Sequence, residues 1–281
     1  MILLAASGST KTEWCLVNDD GIIERYLTDE INPYFQSRRE ISHIVRLQLP
    51  PIFFKLKIST TFFYGAGFSS SEKKNIVKAS LEAQFRTPAI IESDLLGAAR
   101  ALFGNQPGIG CILSTGSNSC FYDGESIVKN IRPLGYILGD EGSSTSLGKV
   151  FLADCLKGLA PPELSLSFFD KYGIDPDQIL DYIYSKPSPN VLLSLLSNFL
   201  YEYLEHPYVK NLIYENLKSF FVRNIMQYDY TNYPVRFVGS LAGMYASQLK
   251  QIADELDIKV DLILENPMHG LIAYHKSKGR L

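Results

Sequence analysis

One unit of sequence occurs twice in this chain: an apolar strand, a short turn of small and hydroxyl residues, and two more strands joined by a tight hairpin. The two copies lie about 108 residues apart. In the first copy, strand Ile2 to Ala6 leads through Ser7-Gly-Ser-Thr-Lys-Thr12 into strand Trp14 to Asn18. Asn18-Asp-Asp-Gly21 then turns the chain into strand Ile22 to Leu27. In the second copy, Cys111 to Ser114 leads through Thr115-Gly-Ser-Asn118 into Ser119 to Tyr122, and Asp123-Gly124 turns into Ile127 to Ile131. Three early antiparallel strands differ from the immediate strand–helix alternation of a dinucleotide fold. The duplication predicts an α/β chain of two related halves.

Between the copies, periodicity predicts a helix over Arg39 to Leu49 and a strand over Thr60 to Tyr64 closed by Gly65-Ala-Gly67. A helix capped by Ser71 then runs to about Phe85, with Lys73 and Lys74 on its wet side. Strand Pro88 to Ser93 and helix Leu95 to Phe103 complete a β-β-β-α-β-α-β-α order, and Gly104 to Gly110 reads as a linker. The second half is interrupted by a mostly helical insertion, about 143–230. It closes with strand Arg236 to Val238, helix Ala242 to Leu256, strand Asp261 to Leu264 and helix Met268 to Lys278. Two domains are therefore expected, 1–106 and 107–281, in a chain of 281 residues that suffices for a substantial core.

A net charge of −3, with 46% hydrophobic and 20% charged residues, describes a soluble globular protein and gives no electrostatic footprint for nucleic acid or an anionic membrane. No apolar run approaches the ~18–20 residues of a membrane span, and Met1 to Ala6 lacks the basic start and length of a signal peptide. A cytoplasmic location is expected. Cys15, Cys111, Cys120 and Cys155 are widely spaced, and Cys15 and Cys111 read as reduced core residues. Neither they nor His43, His206, His269 and His275 have metal-ligand spacing. The 17 Tyr and 16 Phe are scattered, as core and packed-surface residues are.

The first turn is not a P-loop: Ala5 and Thr10 stand where that pattern needs glycines, and a strand follows instead of a helix. It reads either as an ordinary polar hairpin or as a phosphate turn, with Gly8 allowing close backbone approach and Ser9, Thr10 and Thr12 adding donors. Thr115, Gly116 and Ser117 repeat the construction. Asp94 opens a helix after a strand, and Asp140 and Glu141 stand between Gly139 and Gly142 before another. Both acidic positions admit helix capping as the alternative to a chemical role. Gly239-Ser240 repeats the strand–Gly–helix pattern that suits nucleotide contact.

Taken together, Gly8 to Thr12, Asp94, Thr115 to Asn118, Gly139 to Gly142 and Gly239-Ser240 resemble the sugar kinase branch of the actin/hexokinase/heat-shock ATPase superfamily. More closely, they resemble the N-acetylglucosamine kinases and the BadF/BadG/BcrA/BcrD-type ATPases, over essentially the whole chain. The resemblance implies two actin-like (ribonuclease H-like) domains with a nucleotide cleft between them. It implies phosphoryl transfer from Mg-ATP to an amino sugar, most readily N-acetylglucosamine to its 6-phosphate, with N-acetylmuramic acid or glucosamine as alternatives. Residue by residue, it puts Gly8, Ser9, Thr10, Lys11, Thr12, Thr115, Gly116 and Ser117 on the phosphates, and Gly239 and Ser240 by the nucleotide. Asp94 becomes the catalytic base and, with Asn32, Asn118 and Asp140, a sugar contact; in this chain Asp140 or Glu141 is then the candidate to help hold magnesium. Such kinases are often dimers through the second domain, so a homodimer is the expected assembly.

One position departs from the family. An Asp usually precedes the first loop, as in DSGSTKT or DGGGTKT, and here that place is Ala6. Losing a group that orients magnesium would cost roughly two to four decades in rate. This makes an impaired kinase, or a sugar- or nucleotide-binding regulator without turnover, the competing reading. Retention of Asp94 speaks for the kinase. The dehydratase-activator branch is disfavoured because Cys111 and Cys120 are not arranged to hold an iron–sulfur cluster.

Overall fold

The structure, a computed structural model, describes residues 1–68, 70–185 and 189–281. The chain begins with β1 (Ile2–Ser7), β2 (Lys11–Asn18) and β3 (Gly21–Asp29), then α1 (Arg38–Gln48), α2 (Ile52–Lys55), β4 (Thr61–Gly65), α3 (Ser71–Phe85), β5 (Ala89–Ser93) and α4 (Asp94–Phe103). The second half opens with β6 (Gly108–Leu113), β7 (Ser117–Tyr122) and β8 (Ile127–Ile131). The helical segment follows: α5 (Gly135–Leu138), α6 (Ser144–Lys157), α7 (Pro162–Tyr172), α8 (Ile179–Ser185), α9 (Pro189–Glu202), α10 (Pro207–Arg223) and a 3-10 turn over Ile225–Gln227. Then come β9 (Val235–Val238), α11 (Ser240–Met244), α12 (Ala246–Glu255), β10 (Val260–Leu264) and α13 (Met268–Ser277). Residues 186–188 of the expected insertion lie outside the described residues.

Two five-stranded sheets result, ordered β3-β2-β1-β4-β5 and β10-β9-β6-β7-β8. In the first, β1–β2 and β2–β3 are antiparallel, whereas β1–β4 and β4–β5 are parallel. The chain forms two compact units: 1–110 with 120–129 and 266–281, and 111–119 with 130–265.

Both faces of the first sheet are buried over β1, β2 and β4, which suits their continuous apolar runs, whereas the edge strand β3 is largely exposed. Leu3, Ala5, Trp14 and Leu16 pack with Ile41, Val45, Phe53 and Leu81 on one face. Ile2, Leu4, Cys15 and Val17 pack with Met268 and Leu271 of α13 on the other. Trp14 is fully buried between Phe63 and Phe85 and still satisfies its indole N–H, which donates to Thr28 Oγ1 at 2.9 Å. In the second unit much of the aromatic content goes into an inner cluster, where Phe151, Phe168 and Phe199 lie 5.6–5.7 Å apart. Cys15 and Cys111 are buried, as expected, and so is Cys120. Burial pushes the thiols of Cys15 and Cys120 up to about 12.

Four details correct the sequence reading. Gly108 to Gly110 is strand, not linker: a Cβ at Gly108 would fall 2.1 Å from the Phe103 ring, so glycine here lets α4 press against β6. The helix expected over Ala242 to Leu256 is two helices broken at Tyr245, whose buried hydroxyl donates to Ser197 O at 2.9 Å. Ser70, not Ser71, caps α3 by accepting from Lys73 N. Lys73 and Lys74 are half-buried, with Lys73 donating to Pro33 O at 2.8 Å and Lys74 lying 3.6 Å from Glu92.

α13 also carries a buried imidazole. His275 is wholly enclosed, its Nε2 is 2.9 Å from Tyr64 Oη, and the Phe62 ring lies 4.1 Å away. Burial, reinforced by Arg280 and Arg100, lowers its pKa to about 3. The unfolded chain, with an ordinary imidazole near 6.5, therefore binds more protons at pH 3–6.5, and stability falls as pH falls through that window. Denaturant unfolding should show about 2 kcal/mol of loss between pH 7 and 5 from this group. His275→Gln should lack that component. An identical pH slope in the variant would remove His275 as its source.

Candidate functional site

Within the first unit, the candidate residues gather where three parallel strands end. Register pairs Ala6 with Tyr64 and Gly65 with Ser93, so the turn after β1, the Gly65–Gly67 turn after β4 and Asp94 after β5 share one edge of the sheet. Carboxyl ends of parallel strands are where open α/β sheets collect ligands.

The first turn is closed from inside. Ser7 and Thr12 are paired across β1–β2 and their hydroxyls are 2.8 Å apart, while Ser7 Oγ also accepts from Ile31 N at 3.0 Å. Thr12 is fully buried, so its hydroxyl serves the turn and does not face outward as the sequence suggested. Gly8, Ser9, Thr10 and Lys11 are exposed, and Gly8 N donates to Lys11 O at 2.9 Å. The fold does not demand glycine at position 8: an added Cβ would meet nothing closer than Lys11 O at 3.7 Å. Its absence instead keeps the outer side of the turn open. Lys11 Nζ lies 2.8 Å from Asp29 in an exposed pair of the kind worth little in stability.

Asp94 is the first residue of α4 but not its cap. Ser93 caps the helix, accepting from Leu96 N at 3.2 Å, and Asp94 Oδ1 accepts the adjacent Leu95 N–H at 2.8 Å. Half-buried, its carboxyl is raised above the usual aspartate value by desolvation, against the lowering effect of that N–H. A carboxylate so placed can accept a proton. Asn32 is held in a local turn, its Oδ1 accepting from Tyr34 N at 3.0 Å, and it lies against Gly67, where a Cβ would come within 2.2 Å of that oxygen.

The second unit has a matching turn. Ser114 N donates to Gly116 O at 3.0 Å, and α6 is stitched to the turn by Ser144 N on Ser114 O and Thr145 Oγ1 on Thr115 O, at 2.9 and 2.7 Å. Gly239, directly after β9, has φ of 135°, and a Cβ there would strike Leu113 O at 2.1 Å, so only glycine brings the end of β9 this close to β6. That contact sets Ser240 Oγ 3.2 Å from Ser114 Oγ. Thr115, Gly116 and Ser117 are half-buried beside them.

Asp140 stands in the left-handed region at φ 59°, with Ser117 N donating to its Oδ1 at 3.4 Å. Desolvation and neighbouring Glu141 raise its carboxyl, with Ser117 N opposing. Asp140 caps nothing: Ser143 caps α6, accepting from Ser146 N at 3.0 Å. With Ser117, Asn118, Arg132, Arg223, Asn224 and Gln227 it lines a cavity of about 140 Å³. Arg223 holds Glu141 in a 2.7 Å ion pair. Arg223, Asn224 and Gln227, distant in sequence from Asn118, carry no local motif, and only the packing of α10 reveals them. Among the described residues, no three His, Cys, Asp or Glu side chains converge to hold a metal by themselves.

No protein-family model and no curated protein matches the chain. Among solved structures, it is similar to a Porphyromonas gingivalis protein provisionally named N-acetylglucosamine kinase, with 38% identity, TM-score 0.95, and coverage of 99% of this chain and 100% of that one. A Chromobacterium violaceum protein of the same provisional name shares the fold at 17% identity and TM-score 0.77, covering 98% and 99%. A ROK hexokinase from Thermus thermophilus does so at 11% and 0.57, covering 97% and 96%. By its likeness to the first of these, the chain belongs to the N-acetylglucosamine kinase and BadF/BadG/BcrA/BcrD-type ATPase family of the actin-like, hexokinase-type superfamily.

Proposed function

We propose that this protein is an ATP-dependent amino-sugar kinase whose preferred acceptor is the 6-hydroxyl of N-acetylglucosamine. The observation that carries the reading is Asp94, a half-buried carboxylate at a strand end, relieved of capping by Ser93 and raised toward the pKa of a useful base. In this reading Asp94 takes the proton of the sugar hydroxyl. Asn118 and Asp140 orient the ring, with Asn32 a further contact. The open turn at Gly8 to Lys11 and the turn at Thr115 to Ser117 hold phosphate oxygens, Thr12 acting through its bond to Ser7. Gly239 and Ser240 adjoin the nucleotide. We also propose that the duplication divides the chain at 106/107.

Magnesium requires only one or two carboxylates beside nucleotide phosphates, so the lack of a protein cage is compatible with it. Asp140, half-buried and engaged among the described residues by a long contact from Ser117 N, is the carboxylate that fits. When bound, the ion would offset charge on the transferring phosphoryl group. Ala6 favours the alternative of a binding protein without turnover, and the retained base favours the enzyme.

Coupled ATPase and sugar-phosphate assays across N-acetylglucosamine, N-acetylmuramic acid and glucosamine test this reading. Asp94→Asn should lower turnover by about 10²–10⁴ at saturating sugar while binding persists. In the parent, the acidic limb of the rate profile should lie above the ordinary aspartate pKa of about 4. Equal turnover in both proteins would remove Asp94 from its role.

Ala6→Asp should raise turnover by at least about tenfold, with ATP affinity changing less, because metal positioning matters most as charge develops in the transition state. Steady-state rates at saturating Mg-ATP decide it. No gain, or a parent already running at the ~10 s⁻¹ typical of enzymes, would mean that Ala6 costs nothing.

A further inference from the structure

Asn118 on β7 and Asn130 on the neighbouring β8 form a hydrogen-bond arrangement with only one workable polarity. Asn118 Oδ1 accepts from Ser119 N at 2.9 Å and from Asn130 Nδ2 at 2.9 Å, filling both of its lone-pair directions. Asn130 Nδ2 also faces two backbone oxygens, Ser119 O at 2.6 Å and Ile131 O at 3.1 Å. Turning the Asn118 carboxamide over would set its NH₂ against two donors, and turning Asn130 over would set its oxygen against three acceptors. The network therefore assigns both amides.

The platform beneath them is buried. Tyr228 Oη accepts from Ile131 N at 2.9 Å and lies 2.9 Å from Ser119 Oγ; Ser119 is fully buried and Tyr228 nearly so. This pins Ile131, which follows Asn130, and Ser119 on β7, whereas Asn130's own side chain is exposed and so bonds in competition with water. Asn118 Nδ2 donates to no group among the described residues, and Asn118 and Asp140 both line the cavity.

We propose that Asn130 is a positioning residue that holds the Asn118 carboxamide with its NH₂ toward the cavity. Position 118 then reads a hydrogen-bond acceptor on the sugar, while Asp140 beside it reads a donor. The acceptor is a hydroxyl oxygen or an acyl carbonyl; an ammonium group, which only donates, does not satisfy position 118. The proposal rests on the reading of this cavity as the sugar site.

Asn118→Asp is the discriminating variant, because it is isosteric. One carboxylate oxygen keeps both internal bonds, and the other replaces the NH₂ that faces the cavity. Calorimetry with N-acetylglucosamine should show affinity at least tenfold weaker, as weak as in Asn118→Ala, with the melting temperature unchanged. Asn130→Ala should raise the sugar KM at least fivefold, with kcat and the ATP KM within twofold of the parent. Parent-like sugar binding by Asn118→Asp, while Asn118→Ala binds weakly, would overturn the assigned polarity. So would an Asn130→Ala protein whose sugar KM is unchanged, or whose sugar and ATP KM rise together with a lowered melting temperature. If Asn118→Asp fails to fold, the KM split of Asn130→Ala decides alone. If Asn118→Ala and Asp140→Ala both bind sugar like the parent, the cavity is not the sugar site and both readings fall.

Discussion

Leu27, Glu13, Ala6, Tyr64 and Glu92 form one row across β3, β2, β1, β4 and β5, and the chemistry of the first unit depends on that register being kept. The next residues along, Ser7, Gly65 and Ser93, end their strands, which is how the Gly8 turn and Asp94 come to share an edge. A slip of one residue in β1 would turn every side chain to the other face. Here a slip would exchange two packed interiors, since Leu3 and Ala5 fill one core and Ile2 and Leu4 another. The Ser7–Thr12 hydroxyl contact then fixes where the hairpin closes. Loss of the outward Thr12 donor is thus the condition for having a defined turn at all.

Serines relieve acids of structural duty in both units. A helix N-terminus favours a carboxylate, and Asp94 and Asp140 each stand near one. Yet Ser93 and Ser143 make the capping bonds, to Leu96 N and Ser146 N. Asp94 is left with the N–H groups at its own helix start and Asp140 with one long contact, in half-buried positions that raise their pKa values. A capping aspartate accepting several N–H bonds would be pulled the other way. The separation of roles leaves each acid chemically available in the folded protein.

The sequence was most legible where local rules act. The strands of both copies, the hairpin at Asn18 to Gly21 and the apolar register of the first sheet follow from period and turn chemistry, and their observed bounds lie within a few residues of expectation. Gly108 misled because a glycine required by Phe103 looks the same, in sequence, as one that loosens a linker. Tyr245 broke a helix because its ring and hydroxyl are claimed by α9, a tertiary demand invisible in periodicity. The acidic and amide residues of the candidate sites were identifiable beside their turns. Arg223, Asn224, Gln227 and Asn130 were not, since their significance lies in which distant residue each one meets.

Ala6 acquires its meaning from the same row of side chains. Its neighbour on β2 is Glu13, a buried carboxylate held by Arg25 at 2.5 Å, and its neighbour on β4 is Tyr64, buried and bonded to His275 and Arg100. A carboxylate at position 6 would face Glu13 directly across the strands, and like charges so placed are destabilising. Arg25 already serves one of them, so the second would have to be balanced by a cation arriving with the nucleotide. A methyl group removes that repulsion and leaves the turn, the row and Asp94 unchanged. A methyl group at position 6 therefore relaxes the ligand-free sheet, the usual direction of exchange between stability and an electrostatically strained site. Alanine at position 6 is thus compatible with every surrounding element of the sheet staying in register.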